Sequence, residues 1–309
     1  MSAVSRPETL DQLARALAPH TVLVHHDFSQ TPSFPLTASN VGFVPNPKRT
    51  GWAVFGFVDG IFHSMQYALA NLDFDYLQLL SPTCLPIKPL EQFEAYVSGH
   101  ADAHFDCIDV FRDKDALMHV GYRALTPEKS FRHRVARRLS SEYFGASLGR
   151  RNEAGIWLRS GDTKSVTAWI ALGATKMLSH PLIGRHIFDE KFRCYYGSTW
   201  FGARRHLVAA MLDSFLRPGV RDYFSLLRIS EEFLIPTLLM ELSPNKGALN
   251  HCIQLFDEAH VGMFDEQHME QLKKSSAYFA RKFPDDPTAR VRTRVLDEFV
   301  ATHATFETT

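Results

Sequence analysis

The 309 residues hold 34 lysines and arginines against 34 aspartates and glutamates, which excludes whole-molecule attraction to nucleic acid and confines any anion site to a local cluster. Hydrophobic residues make up 45% and charged residues 22%, enough apolar surface to build a core and to exclude general disorder. The four cysteines, Cys84, Cys107, Cys194 and Cys252, form no C-x-x-C pair, a pattern that excludes a zinc ribbon or disulfide scaffold and fits a reducing compartment.

The opening residues carry no basic and apolar leader. No window nears the ~18 uninterrupted apolar residues of a membrane span, so a soluble, cytoplasmic protein is expected. Pro7 to Leu17 reads as a helix, with proline in the first turn and Leu10, Leu13, Ala14 and Leu17 on one face. Thr21 to His25 is a β-branched, apolar strand. A loop rich in proline, serine and asparagine follows to Thr50, with a short strand at Val41 to Val44. Helical periodicity runs from Trp52 to Ala70, a buried strand from Tyr76 to Leu80, a helix from Leu90 to Val97 and a strand from Phe105 to Val110. This alternation predicts an α/β fold with a mainly parallel, twisted sheet, helices on both faces and a helical C-terminal part. Ligands then bind beyond the carboxyl ends of the strands, here His25-His26-Asp27 and Ser81-Pro82-Thr83-Cys84.

The middle of the chain is basic, with Arg132, Arg134, Arg137, Arg138, Arg150 and Arg151. The stretch 129–151 reads as a solvated helix face; peripheral contact with an anionic inner membrane face is its alternative. Two acidic or histidine clusters invite a metal reading. Asp73-Phe74-Asp75 has Asp-x-Asp spelling but precedes its strand, at the wrong end for a ligand site, and reads as a solvated turn. His100 and His104, with Asp102 and Asp106, read as a solvated helix end. The last third predicts strand or turn at Cys194 to Phe201, then helices near Arg204 to Phe215, Leu234 to Leu242 and Asp265 to Ser276. Pro236 would remove a helical hydrogen bond, so that helix is expected to start near Leu234 or to bend there.

Several of these segments, in order, carry a resemblance. They are His25-His26-Asp27 after a strand; Trp52, then Asp73 to Ser81 and Leu85-Pro86-Ile87-Lys88; Tyr196 to Phe201 with its Gly-Ser-Thr-Trp-Phe; Ser230-Glu231-Glu232-Phe233-Leu234; and Phe279-Ala280-Arg281-Lys282-Phe283. The set resembles the core-2/I-branching β-1,6-N-acetylglucosaminyltransferase and peptide O-xylosyltransferase family, with its His-x-Asp turn, "LLSGxDYPIK", "GSxWF", "SPDExF" and "FARKF" stations. The resemblance implies a single GT-A-like domain over 1–309, about 1–125 forming the nucleotide-sugar half. The remaining 126–309 would form the acceptor half and a C-terminal phosphate-binding segment.

It further implies an inverting glycosyltransferase that moves N-acetylglucosamine or xylose from a UDP-sugar to a glycan hydroxyl, on a cell-surface polysaccharide or glycoconjugate. Glu232 would be the general base. Arg281 and Lys282 would neutralise the departing diphosphate without a metal or other cofactor. His25 and Asp27 would lie beside the nucleotide, and Gly197, Ser198, Trp200 and Glu231 on the acceptor side. A helix N-terminus by itself also favours carboxylates at Glu231 and Glu232, by about 0.3–1 kcal/mol. The sequence departs from the family in four places. Met1 to Arg6 stands where an apolar strand is usual, Pro82-Thr83-Cys84 lacks a glycine and an aspartate, and Glu231 replaces an aspartate. Glu258-Ala259-His260 stands where an arginine is expected. A non-catalytic sugar-nucleotide or glycan-binding relative is the alternative.

Overall fold

The structure is a computed structural model that describes residues 5–99, 101–118, 131–145, 149–151, 157–161, 165–178, 186–227, 229–243, 252–257 and 260–300. Helix Pro7–Ala16 opens with its proline in the first turn and buries Leu10, Leu13 and Ala14, the face its periodicity predicts. It leads to β1 (Val22–Val24), which pairs in parallel with β2 (Val41–Phe43). Helix Gly56–Asn71 starts later than Trp52. Ala53, at φ 58°, takes the left-handed backbone region that no helix of L-residues continues through.

Strands β3 (Tyr76–Gln78) and β4 (Leu85–Pro86), helix Leu90–Gly99, β5 (Ala103–His104) and β6 (Cys107–Asp109) follow. The strand expected at Phe105 to Val110 is thus shortened to Cys107–Asp109, with β5 a separate short strand ahead of it. His104 is not at a solvated helix end: it is fully buried in β5, hydrogen-bonded through Nδ1 to the Tyr76 hydroxyl at 2.9 Å. Asp102 is ion-paired with Arg204, and His100 lies outside the described residues. Asp73 and Asp75 are exposed ahead of β3.

In the basic middle, helix Phe131–Phe144 packs on helix Val166–Leu178, beside the hairpin of β7 (Gly149–Arg151) and β8 (Trp157–Arg159). Arg134, Arg137 and Arg138 are exposed, and Arg138 pairs with Glu142 one turn on. Within 129–151, positions 129–130 and 146–148 lie outside the described residues. The last third runs β9 (Tyr195–Gly197), β10 (Gly202–Arg204), and helices Arg205–Phe215, Val220–Ser225 and Glu231–Leu242. Then come β11 (Cys252–Gln254), β12 (Phe256–Asp257), β13 (His260–Val261), a 3-10 turn and helix Met269–Lys274. The chain closes with β14 (Phe279–Arg281) and helix Arg290–Phe299.

The fold is mixed α/β, but its sheets are small and mostly antiparallel. Among the described residues only β1–β2 and β11–β14 pair in parallel. Strand order is β3-β10-β5 in one sheet and β11-β14-β4 in another, with β6 on β9. Alternating strands and helices predict parallel neighbours only when consecutive strands pair. Here β10 inserts between β3 and β5, and β14 between β11 and β4, each antiparallel to the earlier strand. Two cores result, and each joins segments far apart in the chain. One joins Val58, Ile61 and Phe62 to Met211, Phe233 and Leu238. The other joins Leu10 and Leu13 to Leu85, Phe279, Phe283 and Val295. Among the described residues, no helix is long and apolar enough to cross a membrane.

Candidate functional site

Strand β14 is central in its sheet, so its register fixes what surrounds Arg281 and Lys282. Ala280 lies opposite Ile253 of β11 and Leu85 of β4. Phe279 and Phe283 are buried on either side of the basic pair and pin it to the second core. Two backbone bonds hold the strand's exit: the Phe283 N–H donates to the Thr83 carbonyl and the Phe264 N–H to the Lys282 carbonyl, both at 2.9 Å. The sequence-distant segments 81–88 and 279–283 therefore meet.

Arg281 lies with its guanidinium 4.4 Å from the centre of the Trp200 ring, a cation–π contact. Its Nη1 donates to Gln254 Oε1 at 3.1 Å. Gln254 Nε2 donates in turn to Ser198 Oγ at 3.4 Å, which also accepts the Trp200 N–H at 3.2 Å. Arg281, Trp200 and Ser198 thus form one network, with Gln254 as the link. The Nε of Arg281 is buried and has no hydrogen-bond partner, a donor held ready for an acceptor. Lys282 is half-buried, and its ammonium makes no hydrogen bond or ion pair with a described residue. Trp200 is a core residue as well as a site residue: it is buried in the second cluster.

A buried thiol pair completes this end. Burial alone would raise Cys84, but the hydrogen bond from Cys252, the Arg281 charge and the Ser81 contacts outweigh it and bring the thiol down. Burial, and then the bond to Cys84, push Cys252 well up. Cys84 is the lowered member of the pair, and Arg281 is its nearby cation. Neither cysteine nor Gln254 was legible as a site residue, because nothing in their spacing announces that β4, β14 and β11 are neighbours.

Gly197 has a structural reason to be glycine. A side chain there would run into the carbonyl oxygen of Asp106, the residue just ahead of the paired strand β6. The space is taken by backbone, so β6 and β9 approach closely. Helix Glu231–Leu242 packs along β9. Thr237 Oγ1 accepts the Tyr195 N–H at 3.0 Å, and the Phe233 ring lies 5.4 Å from that of Tyr196. The helix runs antiparallel to the strand, so its N-terminus points toward the Gly197–Ser198 end. It starts at Glu231 and not at Leu234, passing through Pro236. The missing proline N–H would have met the Glu232 carbonyl. Complete burial of Leu234, Ile235, Leu238 and Leu239 offsets that loss.

Both glutamates sit in the helix's first turn, where the dipole favours negative charge. Glu231 Oε2 is buried without a hydrogen-bond partner. Burial first, then the neighbouring Glu232 charge, raise its pKa to about 7. Glu231 thus keeps its proton to a higher pH than an ordinary carboxylate.

His25 and Asp27 are built into a different piece of structure. His25 Nε2 accepts the Lys48 N–H at 2.9 Å, and burial brings the ring down to about 4, so it is neutral. Asp27 accepts from Ser29 N and Oγ at 3.0 and 2.6 Å, Gln30 Nε2 at 2.7 Å and Thr50 N at 2.6 Å. Burial would raise its pKa, but these donors hold it far below the usual carboxylate range. Its lone pairs are occupied in stapling the 28–50 loop. The side-chain hydrogen bonds of both residues stay within positions 29–50, apart from the Arg281 network. Trp52, just beyond this loop, is 79% exposed. Compared with models of known protein families and with curated proteins, the chain matches none.

Proposed function

We infer that the chain is an inverting glycosyltransferase with a GT-A-like arrangement, using a UDP-sugar donor and a glycan hydroxyl as acceptor. The observation that carries this reading is the pairing of Arg281 and Lys282. Arg281, over the Trp200 ring and linked to Ser198 through Gln254, has a buried Nε with no partner among the described residues, and Lys282 follows it in the chain with an ammonium that makes no ion pair with a described residue. In the reaction, the acceptor oxygen bonds to the anomeric carbon from the face opposite the leaving group. Glu232 takes the acceptor's proton, and the bond to the diphosphate breaks with its electron pair leaving on the UDP oxygen. Arg281 and Lys282 stabilise that growing charge. Glu231, its pKa raised to about 7, donates to a sugar hydroxyl in its protonated form. Gly197, Ser198 and Trp200 bound the acceptor side, with N-acetylglucosamine or xylose as the donor sugar. No metal is needed where two cations serve the diphosphate.

One observation favours the second reading, a non-catalytic sugar-nucleotide or glycan-binding relative. Asp27 has its lone pairs filled by its own loop, which removes one nucleotide contact. Titration of UDP in the presence of chelator tests both the site and its independence of metal. Wild type should bind, and Lys282→Ala should bind about 10- to 100-fold more weakly, the equivalent of roughly 1.5–3 kcal/mol for a charge-assisted hydrogen bond. Binding that requires manganese defeats the metal-free site. Binding without release of sugar from any UDP-sugar favours the second reading.

A further inference from the structure

Helix Val166–Leu178 is apolar on both of its faces. One face enters the first core: Ala168, Ala171 and Leu172 are buried there, with Thr175 buried one turn on. The opposite face is exposed. At about 100° per residue, Val166, Ile170, Gly173 and Met177 fall on one line along the helix, with Trp169 beside them. Val166 is 74% exposed, Trp169 57%, Ile170 65% and Met177 66%. Single exposed apolar residues need no explanation, but a continuous line of them does. The helix carries no acidic residue, and Lys176, its sole charged side chain, is exposed at the edge of the line.

Helix Phe131–Phe144 lies against it and buries Tyr143 and Phe144 in the same core. The two helices therefore turn their outer faces to the same side of the molecule. The outer face of Phe131–Phe144 holds Arg134, Arg137 and Arg138, all exposed, and Phe131, 73% exposed, one turn ahead of Arg134. The arginines alone read as a solvated face. The apolar line beside them changes that reading.

Chemistry selects what covers this surface. A helix that is apolar all round belongs in a core or in lipid. With 13 residues it is ~20 Å long, too short for the ~30 Å hydrocarbon layer of a bilayer, so it can only lie along the interface. A second copy of the chain would set arginine against arginine, because the sole carboxylate on either helix, Glu142, is already paired with Arg138. A bilayer carrying anionic lipid answers both features. Its acyl boundary takes the apolar line, its headgroup level suits a tryptophan, and its phosphates meet the arginines.

We propose that the outer faces of helices Phe131–Phe144 and Val166–Leu178 form one docking surface for an anionic lipid bilayer, Trp169, Ile170 and Met177 entering the acyl boundary and Arg134 and Arg137 meeting lipid phosphates. The proposal does not depend on the transferase reading.

Flotation of the 309-residue chain with vesicles of phosphatidylcholine alone, or with about 30% phosphatidylglycerol added, tests it. Wild type should bind the anionic vesicles at least about tenfold more tightly than the neutral ones, and lose that advantage as salt is raised. Trp169→Ser with Ile170→Ser removes the apolar part, and Arg134→Glu with Arg137→Glu the basic part. Each pair should lower binding by about tenfold or more, with thermal midpoints near that of wild type because all four side chains are exposed. Brominated lipid should quench the fluorescence of the folded wild type, and Trp169→Phe should lose most of that quenching. This measurement decides the matter if either double variant unfolds. Absence of binding to anionic vesicles overturns the proposal, as does wild-type binding in both double variants or undiminished quenching in Trp169→Phe. A dimer in light scattering that Trp169→Ser with Ile170→Ser abolishes, with no vesicle binding by wild type, assigns the face to a second copy and overturns it as well.

Discussion

At the residue scale, Glu231 carries a buried, unpartnered Oε2 in the first turn of its helix. Glu231 has a folded pKa of about 7 against an ordinary 4.5, through burial and then the Glu232 charge. Between those values the folded chain binds more protons than the unfolded one, so the associated stability is full below pH 4.5 and is lost as pH rises through about 7. Glu231→Gln removes the ionisation, so it should leave stability nearly unchanged at pH 4 and raise it at pH 8. At 1.36 kcal/mol per pKa unit the gain is about 1–3 kcal/mol, read from urea melts at the two pH values. Glu232→Gln should instead lower transfer by ~10²–10⁴-fold, since an amide cannot take the acceptor's proton, with UDP binding preserved. Equal transfer rates in the two variants, or a Glu231→Gln gain that is the same at both pH values, would defeat this division of labour. Sequence reasoning reached the pair and its helix N-terminus. The resemblance gave them different roles, Glu232 as base and Glu231 on the acceptor side, but not the burial of Glu231 Oε2, which depends on tertiary packing.

At the scale of elements, what was legible is local. Helix Pro7–Ala16 and strands β1, β2 and β3 fall where periodicity and β-branching put them, because each depends on its own residues. The mainly parallel sheet was not legible, because β10 and β14 reach their antiparallel partners from more than a hundred residues away. Cys84 and Cys252 meet through the same long-range pairing. Gly197 shows how tightly such pairing is specified: its missing side chain is where the Asp106 carbonyl, at the entry to β6, lies. Gly197→Ala must push β6 from β9 or break their ladder, and should cost about 2–4 kcal/mol, at the upper end of single substitutions. Gly173, whose added Cβ meets nothing, is the control. Gly173→Ala, inside helix Val166–Leu178, should gain up to about 1 kcal/mol from helix propensity. Urea midpoints of the two variants moving in the same direction would show that the close approach at Gly197 carries no stability.

At the scale of the molecule, the chain's beginning and end are fastened by one buried cation. Arg292 is fully buried in helix Arg290–Phe299. Its Nε donates to Gln12 Oε1 at 2.7 Å, Nη1 to the Pro284 carbonyl at 3.3 Å and Nη2 to the Thr9 carbonyl at 3.4 Å. Gln12 Nε2 donates back to the Pro287 carbonyl at 3.0 Å, and the Arg6 N–H reaches Asp285. Burial lowers the guanidinium to about 10, partly opposed by the Asp285 charge, so at neutral pH it remains a cation and its donors must be matched. Arg292→Ala deletes three donors at once and leaves a void at a fully buried position beside Thr9 and Gln12. A loss of about 3–5 kcal/mol is expected, the scale of a buried charge network broken from one side. Arg292→Lys keeps the charge but not the planar fork and should recover only part of it. Arg290, 92% exposed in the same helix, gives a control whose Arg290→Ala cost stays within about 0.5 kcal/mol. The second core holds Phe279 and Phe283 around Arg281 and Lys282, so Arg292→Ala should also weaken UDP binding in proportion to the lost stability. Stability unchanged in Arg292→Ala would show that the termini are held by apolar packing alone. A melt in which only helix Arg290–Phe299 is lost, with UDP affinity intact, would separate this clasp from the site it is argued to support.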